Sequence, residues 1–178
     1  PNILLAALGD NDDESVLLKQ EEGIVSVKSY GRNERLILKR SQAMEDFSIE
    51  EVTKVLEDYH QAGDVYDGLI YLMYKIKDNL VIPLYVGKSE KFGKRGNNLS
   101  ANISNIQNNK SKFCRWGDGY QYHIGDLSAV VCPGHPQGKI NRKYTKWAER
   151  LFTAFPSENP KLRCDTYFWI EAWKHGSA

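Results

Sequence analysis

Apolar residues recur every three or four positions in two stretches of the chain, which is the pattern of an amphipathic helix. The first stretch spans 48–63, where Ser48 and Glu51 form a capping box and a glycine ends the pattern. The second spans 141–155 and is followed by Pro156, which disfavours helical geometry in the residue before it. We predict a helix over each stretch.

Runs that are rich in β-branched and aromatic residues predict strands. Residues 23–30 and 35–40 flank the turn-like sequence GRNE and are predicted to pair as a hairpin. Residues 67–76 and 81–87 flank the sequence KDN and are predicted to pair as a second hairpin.

The remaining segments have weaker patterns. Residues 92–107 carry an apolar stripe at helical spacing, although a glycine and several asparagines reduce their helix propensity. Residues 120–131 alternate as a strand does, CPGHPQG (132–138) is a predicted loop, and TYFWIEAW (166–173) fits a strand or a helix. Interleaved hairpins and helices predict an α+β fold with a small, mainly antiparallel sheet.

Charge is distributed unevenly, although the formal net charge is only +1. Residues 1–67 contain 15 acidic and 7 basic residues, a net charge of −8, whereas residues 68–178 contain 8 acidic and 17 basic residues, a net charge of +9. The second part is therefore predicted to face a polyanion. We divide the chain into an acidic N-terminal extension (1–64) and a second domain (65–178).

Composition also argues against several classes of protein. No apolar run approaches the ~20 residues of a membrane helix, and PNILLAAL (1–8) has no basic residue before it, so a signal peptide is not expected. Three widely spaced cysteines do not form a disulfide framework, which favours a cytoplasmic protein. Cys132 and His135 have the spacing of zinc ligands, and Cys114 and Cys164 could complete a site. One Cys-x-x-His pair is weak evidence, so zinc is not predicted.

The sequence PLYVGKSEKFGKRG (83–96) contains Gly-Lys-Ser, the ending of a phosphate-binding loop. Such a loop needs a glycine five residues before the glycine of this triplet, because the backbone must curl around phosphate. Ile82 occupies that position. We therefore do not predict a nucleotide pocket here.

The same region carries a more specific pattern. Ile-Tyr at 70–71 lies on one predicted strand, Tyr-Val-Gly-Lys at 85–88 lies on the next, and the basic pair at 94–95 follows on the helix predicted over 92–107. This order resembles the GIY-YIG nuclease family, including its excinuclease modules and restriction endonucleases. The resemblance implies a three-stranded antiparallel sheet flanked by helices.

Two later segments extend the resemblance to about residues 65–160. KWAERLF, with Glu149, resembles the helix that bears the metal-binding glutamate of the family, and ENP, with Asn159, resembles the asparagine that closes its site. An insertion at about 105–135 separates the two halves of the pattern. His123, within it, could replace a Tyr or His that family members often carry.

The sequence also departs from the family pattern. Leu69 stands where the glycine of the first motif is usual. The connection between Tyr71 and Tyr85 is longer than usual, although lengthening a turn costs little free energy. Tyr74 is an alternative first tyrosine.

The resemblance implies hydrolysis of a phosphodiester with one Mg²⁺ (or Mn²⁺) held by Glu149, since such an ion needs only one carboxylate besides water and substrate oxygens. Arg95 would bind the scissile phosphate, and Tyr71 would deprotonate or position the attacking water in the positive field of Lys88. The remaining implied catalytic residues, which would complete the hydrogen-bond network, are Tyr85 and Asn159.

Cations interleaved with aromatic residues are typical of a nucleic-acid surface. Such residues lie in the inserted segment, which is a candidate for base readout, as is the 28–40 stretch with its five basic residues. The predicted nucleic-acid-binding residues are Lys91, Lys94, Lys112, Arg115, Arg142 and Lys143.

We predict a stand-alone DNA endonuclease of restriction type. Repair, mobile-element and toxin nucleases are alternatives, and so is a nucleic-acid-binding module that does not cleave. A protein-interaction domain is a third class. A homodimer is one way in which a single site per chain could cut both strands of DNA.

Overall fold

The computed structural model describes residues 16–94, 96 and 98–175. The apolar segment PNILLAAL and Arg95 lie outside these residues. Within them, four α-helices accompany one three-stranded and two two-stranded antiparallel sheets, which confirms the α+β prediction. No helix in the described part combines the length and the apolar character needed to cross a bilayer.

The strands come mainly from the first half of the chain and the shorter helices from the second half. The strands are β1 (Gln20–Glu21), β2 (Ile24–Val25), β3 (Val27–Tyr30), β4 (Arg35–Leu38), β5 (Gly68–Lys77), β6 (Leu80–Glu90) and β7 (Tyr167–Trp173). The helices are α1 (Gln42–His60), α2 (Ala101–Asn108), α3 (His123–Val131) and α4 (Arg142–Leu151), with a 3₁₀ turn at Gln137–Lys139.

The three-stranded sheet has the order β6–β5–β7, so that β5 lies in the centre and β6 forms one edge. The predicted hairpin of β5 and β6 is confirmed, and so is that of β3 and β4. Residues 166–173, which fit either strand or helix, form β7 and pair with β5. Each strand carries the β-branched and aromatic residues that suit a pleated, half-buried surface.

The two faces of this sheet differ in their surroundings. Tyr71 pairs with Gly87, and Met73 pairs with Tyr85, so these four residues share one face. The buried side chains of that face join a core to which the helices also contribute. The opposite face includes Val86, which is 59% exposed.

Helix α1 begins six residues earlier than predicted. Ser41 is its N-cap, because the hydroxyl of this residue accepts a hydrogen bond from the amide of Met44 at 3.0 Å. The predicted cap, Ser48, is instead buried within the helix. Glu51 reaches the free edge of β7, where its carboxylate accepts from the amide of Ala172 at 2.8 Å. The capping-box prediction was therefore wrong.

The strand predicted over 120–131 was also wrong, because His123–Val131 form helix α3. All residues of this helix except Asp126 are buried. Burial on every side removes the polar stripe that marks a surface helix, so the helical period is hidden. Gly125 permits the close packing, since a Cβ there would lie 2.1 Å from the carbonyl oxygen of Gly119.

Two predicted helices are shorter than expected. In the 92–107 segment, helix α2 begins only at Ala101, because Phe92 and Leu99 close a loop as an isolated bridge and Gly96 has a positive φ. In the 141–155 segment, helix α4 ends at Leu151, well before the proline that was expected to end it. The prediction that Lys94 lies on a helix was therefore wrong.

The acidic N-terminal part shares one hydrophobic core with the rest of the chain. Leu17, Leu38 and Val52 are buried in the same cluster as Tyr71 and Trp116. Arg40, which is 2% exposed, donates to the carboxylate of Asp118 at 2.8 Å. Residues before 65 are thus an integral part of the packing and not only an appendage.

Candidate functional site

A group of aromatic residues fills the space between the core face of the sheet and helices α3 and α4. We call it the aromatic cluster. Its members are Tyr71, Tyr85, Trp116, His123, Tyr144, Trp147 and Phe168.

The two predicted tyrosines belong to this cluster and share its sheet face. The ring centroids of Tyr71 and Tyr85 lie 6.2 Å apart. Tyr74 lies on the other face, where its ring stacks on that of Tyr167 at 5.4 Å. Of the two candidates for the first tyrosine, Tyr71 is therefore the one beside Tyr85.

The environment of Tyr71 opposes a role as a base. Its side chain is 1% exposed, and its hydroxyl contacts the carbonyl oxygen of Lys88 at 3.4 Å. The pKa of the Tyr71 phenol is raised above its ordinary value, mainly by burial and to a smaller extent by the neighbouring Tyr85. The phenol is protonated at neutral pH, so it can donate a hydrogen bond but cannot accept a proton from water.

His123 lies at the centre of the cluster. Its ring packs against Tyr85 at 5.2 Å, and its Nδ1 lies 2.7 Å from the Tyr144 hydroxyl. Burial, assisted by the positive charges of Lys143 and Arg115, lowers the pKa of His123 to about 3. The imidazole is therefore neutral at pH 7, and its Nε2 is buried without a hydrogen-bond partner among the described residues.

Helix α4 covers this cluster and turns a row of cations towards solvent. Trp147 packs on Tyr85 at 4.8 Å, and the ammonium of Lys143 lies 4.5 Å from the centre of the Tyr85 ring, a cation–π geometry. A shallow depression of about 510 Å³ follows this surface. We call its four cations the basic face: Arg142, Lys143, Lys146 and Arg150.

None of the four cations of the basic face forms an ion pair with a described residue. Their charges are exposed and add up along one side of a ten-residue helix. Such a surface attracts phosphates and is neutralised by them. Arg142 and Lys143 were predicted to bind nucleic acid, whereas Arg150 was missed, although its spacing of four from Lys146 could have placed it there.

Glu149 does not join the tyrosines. It lies two residues after Trp147, a rotation of about 200° around the helix, and Trp147 faces Tyr85. The carboxylate is exposed on the other side of α4, and the main-chain oxygen of this residue accepts from Arg163 at 3.2 Å. The predicted convergence of Glu149 with the two phenols is therefore wrong.

Lys88 is also separated from the tyrosines. It pairs with Ile70 and so projects from the opposite face of the sheet to Tyr85. There its ammonium forms an exposed ion pair with Glu90 at 2.6 Å. It cannot supply a field to the Tyr71 phenol from that position.

The last predicted catalytic residue, Asn159, is exposed in the loop after α4. It lies beside residues of β1, β2 and β3, including Glu21 and Val25, and these do not belong to the aromatic cluster. Its main-chain N–H donates to the hydroxyl of Ser157 at 3.1 Å. Thus the structure brings the two tyrosines together, but it places Glu149, Lys88 and Asn159 elsewhere. Arg95 lies outside the described residues.

The side chains that could bind a metal ion are scattered over the structure. Within residues 16–94, 96 and 98–175, no three Asp, Glu, His or Cys side chains are grouped so that they could hold a metal ion. Glu149 is directed away from the tyrosines, and Cys114 and Cys132 are buried while Cys164 is exposed. Of the predicted metal ligands, none therefore lies beside the aromatic cluster.

One predicted nucleic-acid contact is a structural residue instead. Lys91 is 2% exposed, and its ammonium lies 2.7 Å from the carboxylate of Asp58. It also donates to the carbonyl oxygen of Gly63 at 2.9 Å. The prediction for Lys91 was therefore wrong, because a buried, paired ammonium is not available to phosphate. Lys94 and Arg115 are exposed, and Lys112 is half-buried.

No family model, curated protein or solved structure matches this chain, so comparison with known proteins does not assign it to a family.

Proposed function

We propose that this chain is an endonuclease that holds the phosphodiester backbone of DNA on the basic face of α4 and hydrolyses it at the adjacent sheet, where a water oxygen bonds to phosphorus as the bond to one sugar oxygen breaks. The observation that carries the proposal is the position of Lys143, whose ammonium joins the basic face to Tyr85. The resemblance of residues 65–160 to the GIY-YIG family supports the cleavage step.

The residues of the site would have different roles in binding the DNA backbone. Cations of the basic face would neutralise and orient successive phosphates. The half-buried Tyr85 hydroxyl would hydrogen-bond the phosphate nearest the sheet, and Tyr71, protonated and fixed behind it, would hold the Tyr85 ring in place. No step is assigned to a metal ion, because Glu149, its one predicted ligand, lies on the side of α4 away from Tyr85.

A second candidate is a nucleic-acid-binding module without cleavage. The orientation of Glu149 and the raised pKa of the Tyr71 phenol favour it, since both remove a group that hydrolysis by the family pattern would use. Binding would still depend on the basic face.

The two candidates are separated by assaying plasmid cleavage and DNA affinity together, with and without Mg²⁺ or Mn²⁺. We expect the wild type to nick plasmid DNA, Tyr85→Phe to lose most of that activity while binding normally, and Lys143→Gln/Lys146→Gln to weaken binding. Lys77→Gln, an exposed cation at the far end of β5, is the matched control.

Each negative result has a definite meaning. Salt-sensitive binding without cleavage under any metal would favour the binding module. Binding that does not weaken as salt rises would favour the third class, a protein-interaction domain. Equal cleavage by wild type and Tyr85→Phe would overturn the assignment of this tyrosine.

A further inference from the structure

A cavity of about 490 Å³ lies between the β3–β4 hairpin and the inserted segment. This volume is within the range of small-molecule sites in proteins. The two regions that sequence analysis singled out for base readout thus border one space. We call it the hairpin pocket, and the lining residues that matter here are Tyr30, Arg32, Arg35, Lys112, Tyr120 and Tyr122.

The hairpin pocket has a positive charge that its own lining does not neutralise. Its one lining carboxylate, Asp118, is 3% exposed and has both oxygens occupied, one by Lys28 and one by Arg40, each at 2.8 Å. Arg32 and Lys112 form no ion pair with any residue that the structure describes. The pocket therefore favours an anionic ligand.

Three tyrosine rings line the same space, and two of them are held by hydrogen bonds. The Tyr122 hydroxyl accepts from the side-chain amide of Asn105 at 2.7 Å. The Tyr120 hydroxyl accepts from Arg35 at 2.9 Å and lies 2.9 Å from Nδ1 of His135. Fixed rings offer stacking surfaces to a planar ligand at a low cost in conformational entropy.

His135 is held between Tyr120 and β4. Arginine can only donate, so the Tyr120 oxygen accepts from Arg35, and the same hydroxyl is hydrogen-bonded to Nδ1 of His135. The Nε2–H of His135 then donates to the carbonyl oxygen of Leu36 at 2.8 Å. The His135 ring thus joins the inserted segment to β4.

The edge of the hairpin pocket is connected to the basic face by a short segment of chain. The ammonium of Lys139 lies 4.9 Å from the centre of the Tyr120 ring, at the edge of the pocket. Arg142, the first cation of the basic face, follows three residues later, so the two Cα atoms are at most about 11 Å apart. A strand of nucleic acid that lies on the basic face could therefore extend to the edge of the pocket.

We propose that the hairpin pocket holds one nucleotide of the DNA strand whose backbone lies on the basic face, with the base against the tyrosine rings and its phosphate at Arg32 and Lys112. This inference rests on the proposed function insofar as both involve the same DNA strand. Charge and planar stacking surfaces in one cavity are the chemistry that recognises a nucleotide.

The test uses fluorescence anisotropy with a labelled single-stranded 15-mer and with the same oligonucleotide carrying one abasic position, moved stepwise along it. Variants are Tyr30→Leu, which removes a stacking surface, and Arg32→Gln/Lys112→Gln, with Lys77→Gln as the control. Thermal melts check that every variant is folded.

For the wild type we expect one abasic position to weaken binding by about 5- to 150-fold, the range of a base–aromatic stack. Tyr30→Leu should weaken binding of the intact 15-mer and should respond less to that abasic position. Arg32→Gln/Lys112→Gln should weaken binding of both oligonucleotides.

The outcomes separate this inference from the proposed function. If the pocket variants bind as tightly as the wild type while Lys143→Gln/Lys146→Gln binds more weakly, the hairpin pocket is not a nucleotide site and the basic face stands. If the wild type binds the plasmid but no 15-mer, the hairpin pocket is not a nucleotide site; if it binds neither, both proposals fail. Uniform affinity for every abasic position would overturn the stacking of a base.

Discussion

At the scale of single residues, burial decides which cations are available to a ligand. Lys91 and Lys143 are both lysines of the basic half, yet the first is enclosed in an ion pair and the second covers aromatic rings at the surface. Removing one partner of a buried pair leaves the other charged group without compensation, which is strongly destabilising.

We therefore predict that Lys91→Met lowers the free energy of unfolding by roughly 3 kcal/mol or more, because Asp58 is left buried and unpaired. Urea denaturation measures the change. Lys88→Met, which breaks the exposed pair with Glu90, is the control and should have a much smaller effect. DNA affinity of the folded Lys91→Met protein should be unchanged; a normal stability would contradict the buried pair.

His123 gives a pH dependence whose sign follows from its depressed pKa. In the unfolded chain the imidazole of His123 takes up a proton below about pH 6.5, whereas in the folded chain it does so only near pH 3. The contribution of His123 to the free energy of unfolding is therefore constant above about pH 6.5 and falls as pH drops towards 3, by up to ~1.4 kcal/mol per pH unit.

The check is the urea midpoint from pH 7 to pH 4 for the wild type and for His123→Leu. The variant should lose part of the slope below pH 6.5, since it removes a group that takes up a proton only on unfolding. Parallel curves for the two proteins would show that His123 is protonated in the folded state.

At the scale of elements, the pairing of β5 with β6 depends on Gly87, which lies opposite Tyr71. A Cβ at position 87 would lie 2.3 Å from Cε2 of the Tyr71 ring, so Gly87→Ala must displace a buried aromatic side chain. We expect a loss of about 1–3 kcal/mol in thermal or urea unfolding.

The matched control for this change is Gly138→Ala, where no atom lies within 4 Å of the added carbon. Combining Gly87→Ala with Tyr71→Leu should cost less than the sum of the two single changes, because the clash disappears. Strict additivity would argue that the two residues do not contact each other.

The accuracy of the sequence predictions also depends on the element. Both hairpins were predictable, since their alternation and turn residues are local signals. Helix α3 was not, because burial on all sides erased its period. The separation of Tyr85 from Lys88 could have been predicted, as an odd spacing along a strand changes the face. The contact of Trp147 with Tyr85 could not, since it joins residues that are distant in sequence.

At the scale of the whole molecule, the charge asymmetry suggested two units, but the packing forms one. The amide of Leu38 donates to the hydroxyl of Ser128 at 3.0 Å, and Val16 bridges to Tyr167 in β7. Contacts of this kind connect segments more than 85 residues apart, which a division by composition does not detect.

We predict that residues 65–178 alone do not fold cooperatively, because the N-terminal part supplies core residues and the partners of Asp118 and Lys91. Circular dichroism during heating, with the full chain as the reference, tests this. A sharp transition in the fragment would show that the first 64 residues are dispensable for folding.

The exposed edge of β6 has a consequence for self-association. An eleven-residue edge strand presents unpaired amides and carbonyls to any chain that could add a further strand, as in amyloid. Pro83 lacks an amide hydrogen, and Lys88 and Glu90 place charges near the other end. These three side chains therefore oppose the addition of a strand at this edge, and between them Val86, which is 59% exposed, offers apolar surface to an added strand.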